Sequence, residues 1–236
     1  MAGKATKLYS AWFCPFAQRT WIALLEKGVD FELVEINPYD KTPEFLAVNP
    51  LGLVPTLVHN EKSVYESLVT LEYIDEAWPQ SPKLMPTDAY GRAQARMWID
   101  FISKRIVPTY YQILQWQGKD KQEEAKGRLL DNLRTFISAM SSDGPYFFGK
   151  EFSLVDIALI PFALRFEVLA HYRSFSLPTD GTFDRLITWM DAWKSRPAVN
   201  ATIAPMDKLL VSYKRYADDT AESKLADAIR KGTPIP

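Results

Sequence analysis

The stretch Trp12-Phe13-Cys14-Pro15-Phe16-Ala17-Gln18-Arg19-Thr20 holds the only cysteine in a chain of 236 residues. Proline follows it, and a helical pattern follows the proline. Proline is tolerated in the first turn of a helix, where its missing N–H would have had no partner. Cys14 is therefore expected at or beside a helix N-terminus, where free N–H groups and the positive dipole end favour thiolate over thiol. A cysteine so placed can have its pKa lowered from about 8.5 into the range ~3.5–7.5. Such a sulfur is a nucleophile and can exchange with disulfides. Position 17 is Ala17, so there is no Cys-x-x-Cys pair, and the second sulfur of any disulfide must come from outside. The competing expectation is a buried free cysteine that packs as a small hydrophobe.

Other chemistry finds less support. His59 and His171 are the only histidines, and both lie far along the chain from Cys14. One cysteine and two separated histidines do not make a zinc cluster, so no metal is expected. Tyr9 and Ser10 carry hydroxyls near Cys14, and Tyr9 reads as strand packing.

The elements that must position Cys14 alternate over the first third of the chain. Lys7 to Ser10 reads as a strand. Ala17, Trp21, Leu24 and Leu25 form an apolar helical face, and Gly28 ends that helix in a left-handed conformation. Phe31 to Ile36 is a second strand, and Thr42-Pro43 caps and opens a short helix. Val54 to Val58 and Ser63 to Glu66 are strands joined by a tight turn, Asn60-Glu61-Lys62. Ser67 then caps a helix with Leu68, Leu71, Ile74 and Trp78 on one face. The order is β-α-β-α-β-β-α.

After about residue 83 no strand is expected. Pro79, Pro82 and Pro86 punctuate a polar linker, giving residues 1–82 as an α/β domain, 83–88 as linker and 89–236 as an all-helical domain. Asp88 caps a long helix to about Trp116, kinked at Pro108. A helix follows from Asp120 to Met140. Ser153-Leu154-Val155-Asp156 resembles a capping box and opens an apolar helix to about Tyr172, with Phe152 as a staple. Phe183 to Lys194, Pro205 to Tyr216 and a polar Asp219 to Lys231 complete the set.

Bulk composition narrows the class. The formal net charge is -1, with 24% charged and 47% hydrophobic residues, so neither nucleic acid nor an anionic membrane is expected as partner. A single cysteine excludes an internal disulfide and fits a reducing compartment. The N-terminal MAGKATKL is too short and polar for a signal peptide. The strongly apolar run from Ile157 to Leu164 falls far short of the roughly 20 residues a membrane span needs. A soluble, cytoplasmic protein is expected.

The strand and helix order, with Cys14-Pro15-Phe16-Ala17-Gln18-Arg19 at the first helix, Val54-Pro55 before the third strand and Glu66-Ser67 at the third helix, resembles a thioredoxin-fold glutathione transferase. The helical second part is similar to that family's C-terminal domain, so the resemblance covers nearly the whole chain. CPFAQRT is most similar to the omega class, whose members carry cysteine where other classes carry tyrosine or serine.

The resemblance implies roles. Cys14 would form a mixed disulfide with glutathione, and Phe16 would pack beside the thiol. Val54 would bind glutathione's cysteinyl part through its backbone, with Pro55 cis. Glu66 and Ser67 would hold the γ-glutamyl end. Omega members often carry a lysine just before the proline of the second helix; here that position is Thr42, and Lys41 stands one residue earlier as the glutathione contact. The second substrate would sit between the domains, against Trp98, Phe101, Arg165 and Phe166, with Met97, Arg105 and Phe162 nearby. Arg165 interrupts an apolar helix and would otherwise make a buried ion pair with Asp156 or Glu167.

The implied activity is glutathione-dependent thioltransfer or reduction. Substrates would be small or protein-bound mixed disulfides, dehydroascorbate or S-glutathionyl compounds, and the protein would be a homodimer. The alternative is a non-enzymatic relative of the same fold: an intracellular chloride-channel-like protein, which shares the Cys-Pro-Phe start, or a ligand-binding module.

Overall fold

The computed structural model describes residues 6–235, so the reading of the first five residues lies outside the described part. Four strands, β1 (Thr6–Ser10), β2 (Glu32–Glu35), β3 (Thr56–His59) and β4 (Lys62–Tyr65), form a sheet in the order β2-β1-β3-β4. β1 runs parallel to β2 and antiparallel to β3, which pairs antiparallel with β4. Asn60 and Glu61 alone make the β3–β4 turn, both with positive φ (50° and 66°). Positive φ at both central residues is what a two-residue hairpin needs to match strand twist, so Lys62 belongs to β4 rather than to the turn.

Helices α1 (Pro15–Glu26), α2 (Pro43–Val48) and α3 (Ser67–Ala77) complete this layer. Gly28 follows α1 with φ 63° and ends it as expected. The buried face of α1 differs from the apolar face in the sequence. Gln18, Arg19, Thr20, Ile22, Ala23 and Leu24 are buried, whereas Trp21 and Leu25 are only partly so. The reason is position: α1 packs on α3 on one side and on a helix of the second layer on the other, so its polar residues must find partners inside.

The segment after α3 is pinned rather than loose. Lys27 and Asp75 form a buried ion pair at 2.9 Å. Asp75 also accepts from the backbone N–H groups of Leu84 and Met85 at 2.9 and 3.3 Å, and Lys27 donates to Pro82 O at 2.9 Å. Leu84 and Met85 are themselves buried.

The second layer is helical: α4 (Ala89–Phe101), α5 (Val107–Gln115), α6 (Lys119–Ala139), α7 (Leu154–Ala163), α8 (Phe166–Arg173), α9 (Asp184–Lys194), α10 (Pro197–Asn200), α11 (Met206–Ala217) and α12 (Lys224–Lys231). The long helix expected from Asp88 to Trp116 is two helices joined by a π-helical turn, Ile102–Ile106. Pro108 lacks the N–H that would bind one turn back, and the wider turn absorbs the mismatch. The carbonyl of Arg105, within the wider turn, accepts from Thr109 Oγ1 and Asn132 Nδ2.

All ten residues of α7 are buried, which makes it the core of this layer. Asp156 fixes its start: one carboxylate oxygen accepts from Ser153 N and Oγ at 2.9 and 2.7 Å. The other accepts from Phe147 N and Trp189 Nε1 at 2.9 and 2.8 Å. The helix expected to continue to Tyr172 breaks at Arg165 (φ -92°, ψ 9°) and restarts as α8. The last helix begins at Lys224, capped by Ser223, because Asp219 adopts φ 56° and stays outside it.

Candidate functional site

Cys14 is the N-cap of α1, with extended backbone (φ -80°, ψ 117°), and Pro15 is the first helical residue. Its N–H donates to Ala11 O at 2.8 Å, closing the loop after β1. The thiol points at the backbone of the facing loop, with Sγ 3.9 Å from Val54 O. The Val54–Pro55 peptide is cis.

The sulfur opens into a cavity of about 1060 Å³ that lies against both layers. Ligand pockets typically measure about 300–1,000 Å³, so the space admits a tripeptide together with a second small molecule. Cys14, Phe16, Lys41, Val54, Pro55, Glu66 and Ser67 all line it. These seven come from four loops around the sheet, which brings together every glutathione-contact position expected from the sequence.

Local rules explain the near wall. Glu66, with φ 69°, is the N-cap of α3, and Ser67 is the first helical residue rather than the cap. Glu66, Ser67 and Leu68 of that helix start line the cavity, and a helix N-terminus is a setting suited to a carboxylate. Gly52 has φ 61°, and a Cβ there would lie 2.7 Å from Lys41 Cδ. Glycine is thus favoured by conformation, and any side chain here would displace the lysine stem that crosses it.

Arg19 is a site residue the sequence reading did not single out. It is 1% exposed yet lines the cavity. Nε donates to Ala158 O at 2.9 Å, Nη1 donates to Ser67 Oγ at 3.2 Å, and Nη2 has no partner. Its guanidinium lies 5.5 and 5.0 Å from the ring centroids of Phe16 and Phe162. No carboxylate among the described residues pairs with it, and burial pulls its pKa down to about 9. The signal was present in CPFAQRT: an arginine one turn into a helix that must be buried on two sides.

The far wall is aromatic. Ser103 and Val107, Tyr111 of α5, Tyr213 and Tyr216 of α11, and the segment leading into α12 line it. Tyr39 closes the rim, stacked on Phe13 at 6.4 Å and covered by Arg215 at 4.5 Å. Burial holds the phenols of Tyr111 and Tyr213 above the ordinary tyrosine range, so they remain hydroxyl donors.

The residues expected for the second-substrate wall lie elsewhere. Trp98 packs edge-on against Phe101 and Phe136 at 5.2 and 6.1 Å, in the helical core. Phe166 is buried against Phe175 at 5.6 Å. Met97 and Arg105 are exposed. Arg165 makes no ion pair with Asp156 or Glu167; it donates to Gln18 Oε1, Pro161 O and Phe13 O. None of these six residues lines the cavity. Tyr9 stacks on Phe45 at 5.6 Å, and Ser10 is buried. His59 stacks on Trp78 at 4.5 Å. No group of three or more metal-ligating side chains occurs among the described residues, and no helix among them is long and apolar enough to cross a membrane.

The electrostatics of the sulfur correct one expectation. Burial pushes the Cys14 thiol up, and the N–H groups of Phe16 and Ala17, then the charges of Arg165 and Arg19, pull it back only in part. The helix start acts in the expected direction, but desolvation of the thiolate is larger.

A sulfur at a helix start beside a cis-proline loop, backed by a helical layer, defines a thioredoxin-like domain with a helical C-terminal domain. Residues 8–82 match the model described as Glutathione S-transferase, N-terminal domain, and residues 119–192 match that described as Glutathione S-transferase, C-terminal domain. The chain is 37% identical to Glutathione S-transferase U19 of Arabidopsis thaliana, over 86% of this chain and 91% of that one. Among solved structures it resembles glutathione transferase Omega 3C from Trametes versicolor, with TM-score 0.82, 38% identity and coverage of 91% and 92%. It also resembles a Tau-class glutathione S-transferase from mango, Mangifera indica, with TM-score 0.85, 30% identity and coverage of 92% and 100%. The chain belongs to the glutathione S-transferase family. The omega likeness read from CPFAQRT is matched by a likeness to Tau-class proteins, so membership is shown at the level of the family and not of the class.

Proposed function

We propose that this protein is a cysteine-type, omega-like glutathione transferase that performs thioltransfer through Cys14. The observation that carries the reading is the Cys14 sulfur opening into the same cavity as Lys41, Glu66, Ser67 and Arg19. Glutathione bears two carboxylates and one ammonium. Lys41, the Arg19 side chain and the α3 start suit the carboxylates, and the Glu66 carboxylate suits the ammonium. The Val54 backbone, facing Sγ at 3.9 Å, suits the cysteinyl part.

The chemistry balances with external thiols alone. The Cys14 thiolate attacks the glutathionyl sulfur of a mixed disulfide. The S–S bond breaks, and the other sulfur leaves as a thiolate that takes a proton. A second glutathione thiolate then attacks the Cys14–glutathione disulfide, which frees Cys14 and releases glutathione disulfide. The aromatic far wall would hold the leaving group, which can be a small molecule or a protein-bound thiol. Dehydroascorbate and S-glutathionyl ketones are further candidate oxidants.

The test is turnover of a glutathionyl mixed disulfide by wild type and Cys14→Ala. Loss of turnover in the variant supports the proposal, and full activity ends it. A conjugating reading has its own support in relatives named glutathione S-transferases. Under it, Cys14→Ala would retain thiol conjugation to an aromatic electrophile while the mixed disulfide is ignored by both proteins. A non-enzymatic relative would turn over neither substrate.

A homodimer and a cytoplasmic setting complete the proposal. Tyr90, Met97 and Val69 stand exposed on α3 and α4, flanked by the Arg92–Glu76 and Arg96–Glu72 ion pairs. This mixed apolar and charged face is the candidate contact surface. Sedimentation showing only the 27.0 kDa chain at micromolar concentration would contradict it.

A further inference from the structure

We propose that Arg165 is a positioning residue for the Cys14 thiol, holding from the helical layer both the peptide before the cysteine and the helical turn after it. The inference rests on the thiol chemistry proposed above. Arg165 Nη2 donates to Phe13 O at 3.0 Å, and the Tyr213 hydroxyl donates to the same oxygen at 3.3 Å. Nη1 donates to Gln18 Oε1 at 2.7 Å and to Pro161 O at 2.6 Å. Gln18 is the residue whose N–H closes the first helical bond onto Cys14 O, at 3.0 Å. One rigid guanidinium therefore spans the residue before the sulfur and the turn after it. The fork cannot drift, because Gln18 Nε2 is fixed in turn by Thr202 O and Oγ1 at 3.2 and 3.1 Å.

The charge of Arg165 calls for its own explanation. The residue is 2% exposed, its acceptors are all neutral, and its buried Nε has no partner among the described residues. A buried cation without a carboxylate is costly. Elsewhere the two layers are tied more cheaply, as where Arg196 meets Glu26 at 2.7 Å. An unpaired cation is useful where negative charge develops. The charged and titratable groups that face Cys14 are Arg19 on its own helix, Arg165 at the α7–α8 break, Tyr111 on α5 and Tyr213 on α11. Lys41 and Glu66 lie on the same cavity wall. The phenols stay neutral, so Arg165 and Arg19 are the charges that favour the thiolate against its burial.

The experiment reads Cys14 itself: the rate of iodoacetamide alkylation against pH, together with kcat and KM for glutathione. In Arg165→Met the alkylation midpoint should rise by roughly one pH unit, and kcat should fall while KM holds. Arg165→Lys restores charge without the two-pronged hold, so the midpoint should return toward wild type while kcat stays low. Gln18→Glu keeps the hydrogen bond from Arg165 and neutralises the guanidinium, while giving up the Nε2 bond to Thr202 O, and should also raise the midpoint; it carries the test if Arg165→Met does not fold. An unchanged midpoint in whichever of Arg165→Met and Gln18→Glu folds overturns the proposal. The readout needs no turnover. If Cys14→Ala keeps full thioltransferase activity, the functional proposal fails, and the titration still decides the role of Arg165.

Discussion

Arg19 Nη1 donates to Ser67 Oγ at 3.2 Å, tying the helix that begins at Cys14 to the helix start that follows Glu66. The two halves of the near wall are thus one hydrogen-bonded unit, and both residues line the cavity. Arg19→Met should weaken glutathione binding by roughly 1.5–3 kcal/mol, the range for a hydrogen bond to a charged group. Calorimetry with free glutathione checks this, and unchanged affinity would remove Arg19 from the site.

The Cys14 thiol sets a pH dependence. Cys14 is a thiol that burial pushes above its ordinary value, so its thiolate fraction grows about tenfold per pH unit below the midpoint. Formation of the Cys14 adduct from a mixed disulfide, followed without free thiol, should therefore climb through neutral pH. Arg19 stays a guanidinium cation across this range, so glutathione affinity should hold from pH 6 to 8 while the adduct rate climbs. A rate that is flat from pH 6 to 8 would contradict the first limb.

Gly52→Ala tests the Lys41 placement. The left-handed backbone costs a non-glycine residue about 1–2 kcal/mol, and the new Cβ would meet Lys41 Cδ at 2.7 Å. Thermal stability should drop, and glutathione affinity should fall with it as the lysine is displaced. Alkylation of Cys14 should stay as in wild type. Affinity equal to wild type would show that Lys41 does not contact glutathione.

Asp156 and Ser153 should separate in stability. Ser153→Ala removes a cap and should cost about 0.5–2 kcal/mol. Asp156→Ala strands the buried donors of Phe147, Ser153 and Trp189, so the cost should reach about 3 kcal/mol or more. Chemical denaturation of both variants checks the order, and equal losses would mean that Asp156 acts only as a cap.

How much of this was legible in the sequence follows from the range of each interaction. Cys14-Pro15, Val54-Pro55 and Glu66-Ser67 are local patterns, in which adjacent residues dictate a helix start or a turn, and they reached one cavity. The far wall was not legible. Tyr111, Tyr213 and Tyr216 recur at helical spacing and look like core, and only the packing of α5 against α11 turns them toward the sulfur. Arg165 stood out as an arginine in an apolar helix, but its partners Gln18 and Phe13 lie 147 and 152 residues away. Pro108 marked an interruption of the long helix, but a proline alone does not state whether the chain bends or widens into the π turn found at Ile102–Ile106. The raised Cys14 pKa depends on how deeply the second layer buries the loop, which no local pattern states.

The most direct test of the cysteine mechanism is the mass of the Cys14 peptide after a single encounter with a glutathionyl mixed disulfide, with no free glutathione present. One glutathionyl group should appear on Cys14 with release of one equivalent of the partner thiol, and added glutathione should remove it at least as fast as steady-state turnover. Steady turnover with no adduct on Cys14, or with an adduct that free glutathione clears more slowly than the enzyme turns over, would contradict the mechanism.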